Sequence, residues 1–324
     1  MVAQTTRAAR VLGDVGGTHT RFAWQDSDGA PLRDIVTLST ADYASLAEAL
    51  AHYLHGLGRA APPWCSIGIA NPITGDHVEM TNGDWSFSIS ALKSRFGFSR
   101  LIVINDFTAL ALALLDLPRD ELKQIGGGAP AVGAPIALIG PGTGLGVSGL
   151  LPGAEPGVWQ PVHGEGGHVT LAAGNAREAA VIEVMRDRFK HVSAEHAVSG
   201  QGLEALHAAL VQLAGAAAGQ PPLPAPEISR RAMQGGDTLC SEALELFCSF
   251  LGNVAGNLAL TLGARAGVYV GGGIVPRLGD AFTRSGFRAS FENKGRFRSY
   301  LEPIPVFVIH AEVSPALLGA ARAL

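Results

Sequence analysis

Charge is scarce in this chain. Asp, Glu, Lys and Arg make up 16% of its 324 residues, against a usual share of about a quarter. A strongly charged, disordered chain is therefore not expected, and the hydrophobic fraction of 47% suits an ordinary globular core. The charges that exist nearly cancel: 24 basic against 28 acidic residues give a net −4. Neither nucleic acid nor an anionic membrane is an expected partner. Cysteine is scarcer still. Cys65, Cys240 and Cys248 make no C-x-x-C pair and no disulfide framework, which fits a reducing compartment. Cys240 and Cys248 fall in one apolar helical pattern and are expected in the core. The opening MVAQTTRAAR lacks the apolar segment of a secretory signal. Apolar runs stop short of a membrane span and are broken by glycine. These absences point to a cytoplasmic protein, with one large domain or two of about 150 residues.

What the chain has in excess is glycine. There are 42, close to twice the typical share of about 7%. They show no collagen period. They cluster at Gly16-Gly17, Gly126 to Gly128, Gly140 to Gly146, Gly164 to Gly167 and Gly271 to Gly273, as loops do whose backbone must approach something closely.

Periodicity gives the organisation. Strands are predicted at Arg10 to Asp14, Arg21 to Gln25 and Ile35 to Leu38, with an Asp28-Gly29 turn between the last two. A helix carries Tyr43, Leu46, Ala47, Leu50 and Leu54. A strand at Cys65 to Ala70 is followed by a short helix capped by Ser90 and ending at Gly97. Leu101 to Ile104 reads as a strand covered on both faces, with a helix from Thr108 to Leu115. Pro118 and the stretch Gly126 to Pro135 mark a boundary. A hairpin follows, Ile136 to Ile139 and Leu145 to Leu150, and then a strand near Val158 to Val162. Helices are predicted at Ala176 to Phe189, Gly202 to Leu213 and Cys240 to Leu262. A Pro/Ala/Gly connection spans Gly215 to Glu227. Strands at Val268 to Val270 and Val306 to Ile309 and a helix at Pro315 to Leu324 close the chain. The meander that starts near residue 11 has a counterpart near residue 136, which suggests an internal duplication.

Two of the glycine clusters sit in turns between strands. Asp14-Val15-Gly16-Gly17-Thr18 frees backbone N–H groups to face phosphate oxygens. Asp14 itself would repel a phosphate unless Mg²⁺ or its water lay between them. A plain β-turn with a solvated aspartate is the alternative. Gly140 to Gly146 repeats the device around Gly142-Thr143-Gly144. It is no Walker loop, having no G-x-x-x-x-G-K-[ST], and no dinucleotide fingerprint, since a strand follows it. Two such hairpins could clamp a polyphosphate. Gly271, Gly272 and Gly273 make either a tight strand-to-helix turn or a flat shelf for a purine.

The chain resembles the bacterial ATP-dependent glucokinases of the sugar kinase/actin-like ATPase superfamily. The resemblance runs nearly end to end. It is carried by Leu12 to Thr18, Ala70-Asn71-Pro72-Ile73-Thr74-Gly75-Asp76, Met80-Thr81-Asn82, Ile104-Asn105-Asp106-Phe107, Gly140 to Gly146, Gly164-Glu165-Gly166-Gly167-His168 and Gly271 to Pro276. Each motif is modest alone; their order and spacing are specific. The resemblance implies an α/β, two-domain actin-like ATPase (ribonuclease H-like) fold with a cleft. Residues 1–116 and 308–324 would form a small α/β domain, and 117–307 a larger α+β domain. It also implies a homodimer. His19 stands where the family often has asparagine. The related ROK kinases carry a cysteine-rich zinc motif after a G-E-x-G-H; no cysteine lies between Cys65 and Cys240, so a structural zinc is not expected.

The resemblance also assigns chemistry. Asp106 would be the general base that accepts the proton of the 6-hydroxyl of D-glucose as it attacks the γ-phosphorus of ATP. Read alone, Asp106 could equally cap the next helix. Asn105, Asp106, Glu165, His168 and Glu195 would hold the sugar hydroxyls. Asp14, Gly16, Gly17, Thr18, Gly142, Thr143, Gly144 and Gly271 to Gly273 would hold ATP, with Mg²⁺ near Asp14 through water. Glu165 with His168 is a weak metal pair, because no third ligand stands at metal spacing. Glu195 read alone is a solvated charge at a helix start. Trp64, Trp85 and Trp159 are expected in core or rim packing. Lys294 and Arg296 are expected on a solvated face, and His52, His55, His207 and His310 join no constellation. Rival readings are a kinase for mannose or an N-acetylated amino sugar, a ROK-type regulator and a silent sugar sensor. Asp14 lies too near the start to leave room for a DNA-binding domain ahead of it, and Asp106 argues against a silent sensor.

Overall fold

The computed structural model describes residues 8–81, 83–215, 222–311 and 314–324. The opening stretch read for a signal, Asn82 of the Met80-Thr81-Asn82 motif, and residues 216–221 of the Pro/Ala/Gly connection lie wholly or partly outside it. The chain forms two compact units. One comprises the residues up to Pro118 together with Ala311–Leu324, the other Arg119–His310.

The first unit begins with a meander, β1 (Arg10–Val15), β2 (His19–Gln25) and β3 (Arg33–Ser39), followed by helix α1 (Leu46–Gly56). Next come β4 (Trp64–Ile69), a small hairpin β5 (His77–Glu79) and β6 (Ser86–Ser88), helix α2 (Ile89–Phe96), β7 (Arg100–Asn105) and α3 (Asp106–Ala113). Its sheet runs β3-β2-β1-β4-β7. The meander pairs antiparallel, while β4 joins β1 and β7 joins β4 in parallel. Val11, Val15, Ile67 and Ile69 pack under α1 through Leu46, Leu50 and Tyr53. The hairpin β5–β6 is too short to show a period in the sequence. The cap of α2 is Ser88, whose hydroxyl accepts the Ala91 N–H at 3.0 Å. Ser90, predicted as the cap, instead donates its N–H to Asp76 at 2.8 Å.

The second unit opens with β8 (Leu122–Gln124). Then come a second meander, β9 (Ile136–Pro141), β10 (Leu145–Pro152) and β11 (Trp159–Val162), and helices α4 (Ala176–Phe189), α5 (Gly200–Leu213), α6 (Ala225–Gln234) and α7 (Thr238–Leu262). It closes with β12 (Gly267–Val270), four short helices and β13 (Val306–Ile309). The short helices are α8 (Ile274–Leu278), α9 (Asp280–Arg284), α10 (Phe287–Glu292) and α11 (Arg298–Leu301). Its sheet runs β11-β10-β9-β12-β13-β8. Antiparallel meander, then two parallel strands, is the order of the first sheet over again, with β8 added at the far edge. The repeated meander seen in the sequence is thus a repeated topology.

Three expectations are corrected here. Gly126 to Gly128 marks no boundary between units: the Gln124 side-chain amide donates to all three carbonyls, and the Gly128 N–H donates to Pro303. Lys294 is not on a solvated face, because its ammonium reaches in to the carbonyl of Asn253 at 3.1 Å and to that residue's side-chain oxygen. Burial there lowers its pKa, against the raising effect of the Glu178 carboxylate. Helix α7, predicted over Cys240 to Leu262, is long and apolar enough to cross a membrane. It serves as the core of its unit, 72% of its most apolar window being buried against α5, α6 and α10. Cys240 and Cys248 lie on its buried face. The first residues of α6, Ala225 to Glu227, were read as connection and the rest was given no element; Pro226 sits in its first turn, where a missing N–H costs nothing.

The chain returns to the first unit as α12 (Pro315–Arg322). Leu317 and Ala320 bury against Leu12 and Ala23, and the helix packs along α3. The approach is closest at Gly319, where any Cβ would run into the carbonyl of Ala109. A side chain there must drive α12 off α3, an overpacking cost of roughly 1–3 kcal/mol. Gly319→Ala is accordingly expected to lower the denaturation midpoint measurably. Gly56→Ala, whose Cβ meets nothing within 4 Å, should leave it unchanged or raise it. Equal midpoints for Gly319→Ala and the parent chain would show that the helices have room to spare.

Candidate active site

Parallel pairing in register aligns the strand ends of the first unit: Val15 stands beside Ile69, and Ile69 beside Asn105. The residues that follow those positions therefore emerge along one edge, where ligands bind in open α/β sheets. After β1 comes the turn Gly16 to His19, closed by the Gly16 N–H on the His19 carbonyl at 2.9 Å. Thr40 clamps it: its hydroxyl donates to the Gly16 carbonyl at 2.9 Å, and its N–H to that of Thr18 at 3.0 Å. The N–H groups of Gly17 and Thr18 donate to no described residue, which leaves two adjacent donors for an anion.

Asp14 lies just below that turn. Its Oδ2 accepts the Ser314 hydroxyl at 2.6 Å and the Arg21 guanidinium at 3.2 Å, so the carboxylate is held in one orientation. Ser314 and Arg21 were not singled out in the sequence. The register partner Asp14↔Arg21 would have suggested the second; nothing local signals the first, which lies 300 residues away. Among the described residues, no group of three His, Cys, Asp or Glu side chains could hold a metal. A hard cation beside Asp14 would thus complete its shell from water and phosphate, as Mg²⁺ commonly does.

Strand β7 ends in Asn105, and Asp106 follows it. The helix cap is Asn105, not Asp106: its Oδ1 accepts the N–H groups of Phe107 at 2.9 Å and Thr108 at 3.2 Å. Its amide nitrogen donates, at 3.4 Å, to the carbonyl of Asn71. Asn71 in turn fixes Thr81 through its Oδ1, at 2.9 Å to the N–H and 2.8 Å to the hydroxyl. Asp106 is the first residue of α3, with Oδ1 accepting the Phe107 N–H at 2.9 Å. Its Cα comes close to Gly68 of β4, a position where a Cβ would crowd Ala109 at 3.1 Å.

The second unit gathers its candidates around the β9–β10 turn. Gly142 closes that turn on the Gly144 carbonyl at 2.8 Å, and its own carbonyl accepts the Gly200 N–H at 2.9 Å. The N–H groups of Thr143 and Gly144 donate to no described residue. A Cβ at Gly142 meets nothing within 4 Å, so the turn presents open backbone. From the end of β12, Gly272 sits with φ +78°, and a Cβ there would strike the Pro141 carbonyl. This brings Gly271 to Gly273 beside the turn.

Glu195 reaches the turn from the other side. Its Oε2 accepts the Leu145 N–H at 2.8 Å, and its own N–H donates to the Gly167 carbonyl at 2.9 Å. The half-buried carboxylate is therefore not the solvated charge its local sequence suggests. Glu165 and His168 flank Gly166-Gly167 on a 3₁₀ turn and are exposed. Gly167 lies so close to the Leu145 carbonyl that no side chain fits. Nearby His196 stacks on Phe189 at 4.0 Å. Burial lowers its pKa, against the raising charge of Glu195. Each unit thus offers a glycine turn with unpaired donors. The first adds Asp14, Asn105 and Asp106, and the second adds Glu165, His168 and Glu195.

The glucokinase family model matches residues 11–324. A glucokinase of Aromatoleum aromaticum is 58% identical over 318 residues, 97% of this chain and 94% of that protein. The crystal structure of a glucokinase from an Antarctic psychrotroph is 34% identical and covers 98% of both chains, with a TM-score of 0.87. A ROK hexokinase from Thermus thermophilus, 20% identical, covers 97% of both chains at a TM-score of 0.69 and shares the α/β fold. Matched along its described length in sequence and in mixed-sheet architecture, the chain belongs to the glucokinase family.

Proposed function

We propose that this chain is a cytoplasmic glucokinase, transferring the γ-phosphoryl group of ATP to the 6-hydroxyl of D-glucose to give glucose 6-phosphate and ADP. The observation that carries the reading is the 58% identity to a glucokinase along nearly the whole of both proteins. The glycine turns at equivalent sheet edges support it. In this reading Gly16, Gly17, Thr18, Gly142, Thr143 and Gly144 hold phosphate oxygens. Gly271 to Gly273 support the adenosine. Asp14 holds Mg²⁺ through water; the ion, when bound, neutralises charge on the phosphates. Asn105, Glu165, His168 and Glu195 bind sugar hydroxyls. The protein acts as a homodimer, with no nucleic-acid or membrane partner. Its small domain lies in the first unit and its large domain in the second.

Asp106 is the general base. A hydroxyl is a poor nucleophile, and a fixed carboxylate within reach accepts its proton as the O6–Pγ bond forms and the bond to the ADP oxygen breaks. The geometry favours a fixed carboxylate: Asn105 caps α3, and the Phe107 N–H holds Asp106 through Oδ1. Buried sugar hydroxyls need partners, and each one left unpaired costs about 1–3 kcal/mol.

Asp106→Ala is expected to lower kcat by at least about a hundredfold while calorimetry still records glucose binding; near-parental turnover would refute the base. Glu165→Gln should raise the KM for glucose more than that for ATP, and the reverse order would remove Glu165 from the sugar site. An ADP-release assay over glucose, mannose and N-acetylated amino sugars tests the substrate. Glucose is expected to lead, and no release with glucose would overturn the proposed function.

A further inference from the structure

Residues 192–200 are stitched to two places at once. On one side, Leu171 and Ala194 exchange N–H bonds with Val192 and Val169, and the Glu195 N–H meets Gly167, each at 2.9 Å. That side is the loop carrying Glu165 and His168. On the other side, the Gly200 N–H holds the Gly142 carbonyl and the Glu195 carboxylate holds the Leu145 N–H. That side is the β9–β10 turn. The Ser199 hydroxyl fixes the backbone between these anchors by donating to the Glu195 carbonyl at 2.8 Å.

Glu195 is the only one of these anchors with a charged side chain, and it uses one oxygen. Oε2 is taken by Leu145; Oε1 accepts no hydrogen bond among the described residues. The absence of a side chain at position 144 is what admits it: a Cβ there would stand 2.5 Å from Oε2. Charge-assisted bonds of a carboxylate to a backbone N–H are among the stronger ones. Whatever orients this carboxylate is felt at the turn, and the reverse holds by reciprocity.

We infer that Glu195 is a positioning residue for the nucleotide turn as well as a sugar ligand, so that one carboxylate couples the two substrate sites. This rests on the proposed function for the identity of the two ligands. Oε1 meets the sugar hydroxyl and Oε2 sets the β9–β10 turn; sugar binding fixes the carboxylate and thereby the phosphate donors of Thr143 and Gly144. Water in place of sugar leaves the carboxylate, and hence the turn, less constrained.

Two arms of a binding experiment test this on the intact chain, with thermal melts confirming that each variant folds. In the first, glucose is titrated without nucleotide. Gly144→Ala, although in the nucleotide turn, is expected to weaken glucose by about tenfold or more, since its Cβ displaces Oε2. Gly56→Ala, which stands in neither proposed site and whose Cβ meets nothing, should leave glucose affinity unchanged. In the second, ADP is titrated without sugar. Glu195→Ala is expected to weaken ADP several-fold, and Glu195→Gln, whose amide oxygen can still accept the Leu145 N–H, should restore most of it. Parental glucose affinity in folded Gly144→Ala, or parental ADP affinity in Glu195→Ala, would overturn the coupling. A parental chain that binds no glucose would instead overturn the functional reading, and the ADP arm would still decide whether Glu195 sets the turn.

Discussion

Parallel pairing of β4 against β1 and of β7 against β4, without a register shift, is the constraint on which the first unit's chemistry depends. Side-chain orientation alternates along a strand, so a slip of one residue would turn Asp14 to the opposite face and carry Asn105 away from Asn71. What fixes the register is apolar packing on both faces. Val11, Val15 and Ile67 are pressed under α1, while Leu12 and Ala23 are pressed under α12. With both faces buried, neither can be exchanged for the other without exposing core. The same holds in the second sheet, where Ile139 stands beside Val270 and Val270 beside Val308.

Glycine then decides what can gather at those edges. The composition shows an excess, but the structure gives its members different causes. Gly319 lets two helices touch backbone to backbone, and so stabilises the element that begins with Asp106. Gly272 lets the β12 end lie on Pro141, and Gly144 admits a carboxylate. Gly126 to Gly128, by contrast, folds against residues 303–305 far along the chain, where its carbonyls receive the Gln124 amide. One residue type thus serves packing, turn geometry and site access, and composition alone cannot separate them.

Long helices were legible because they hold several periods, and some strands because they are unbroken apolar runs. Helix α4 and the short strand β13 each begin and end where the sequence pattern predicts. The elements missed are those too short to show a period, such as β5, β6, β8 and α8 to α11, or masked by proline, such as α6. Within the candidate site, the turns were legible because glycine and threonine between two apolar strands carry a local signal. The partners that hold the turns were not. Thr40 clamps a turn more than 20 residues behind it, and Ser314 reaches Asp14 across nearly the whole chain. Asn105 and Asp106 were picked out together, but their division of labour was not. Either side chain can cap a helix, and only the geometry gives that task to Asn105.

That division explains how the proposed base, Asp106, can stand at the start of a helix whose cap is another residue. A carboxylate serving as cap must keep its oxygens on the backbone, and a base must offer one to its substrate. Placing asparagine one position earlier supplies the two capping bonds from a neutral oxygen. It leaves the next residue within the favourable field of the helix N-terminus. Asp14 follows the same logic with different partners. Its Oδ2 is spoken for by Ser314 and Arg21, which fixes its direction, while Oδ1 accepts no hydrogen bond among the described residues. Glu195 repeats it in the second unit, with Oε2 on the backbone and Oε1 accepting no hydrogen bond among the described residues. The device shared by Asp14 and Glu195 is a carboxylate anchored through one oxygen, so that the other is presented in a set direction. Anchoring lowers the entropy lost when a ligand binds, and that loss is part of what any binding site must overcome.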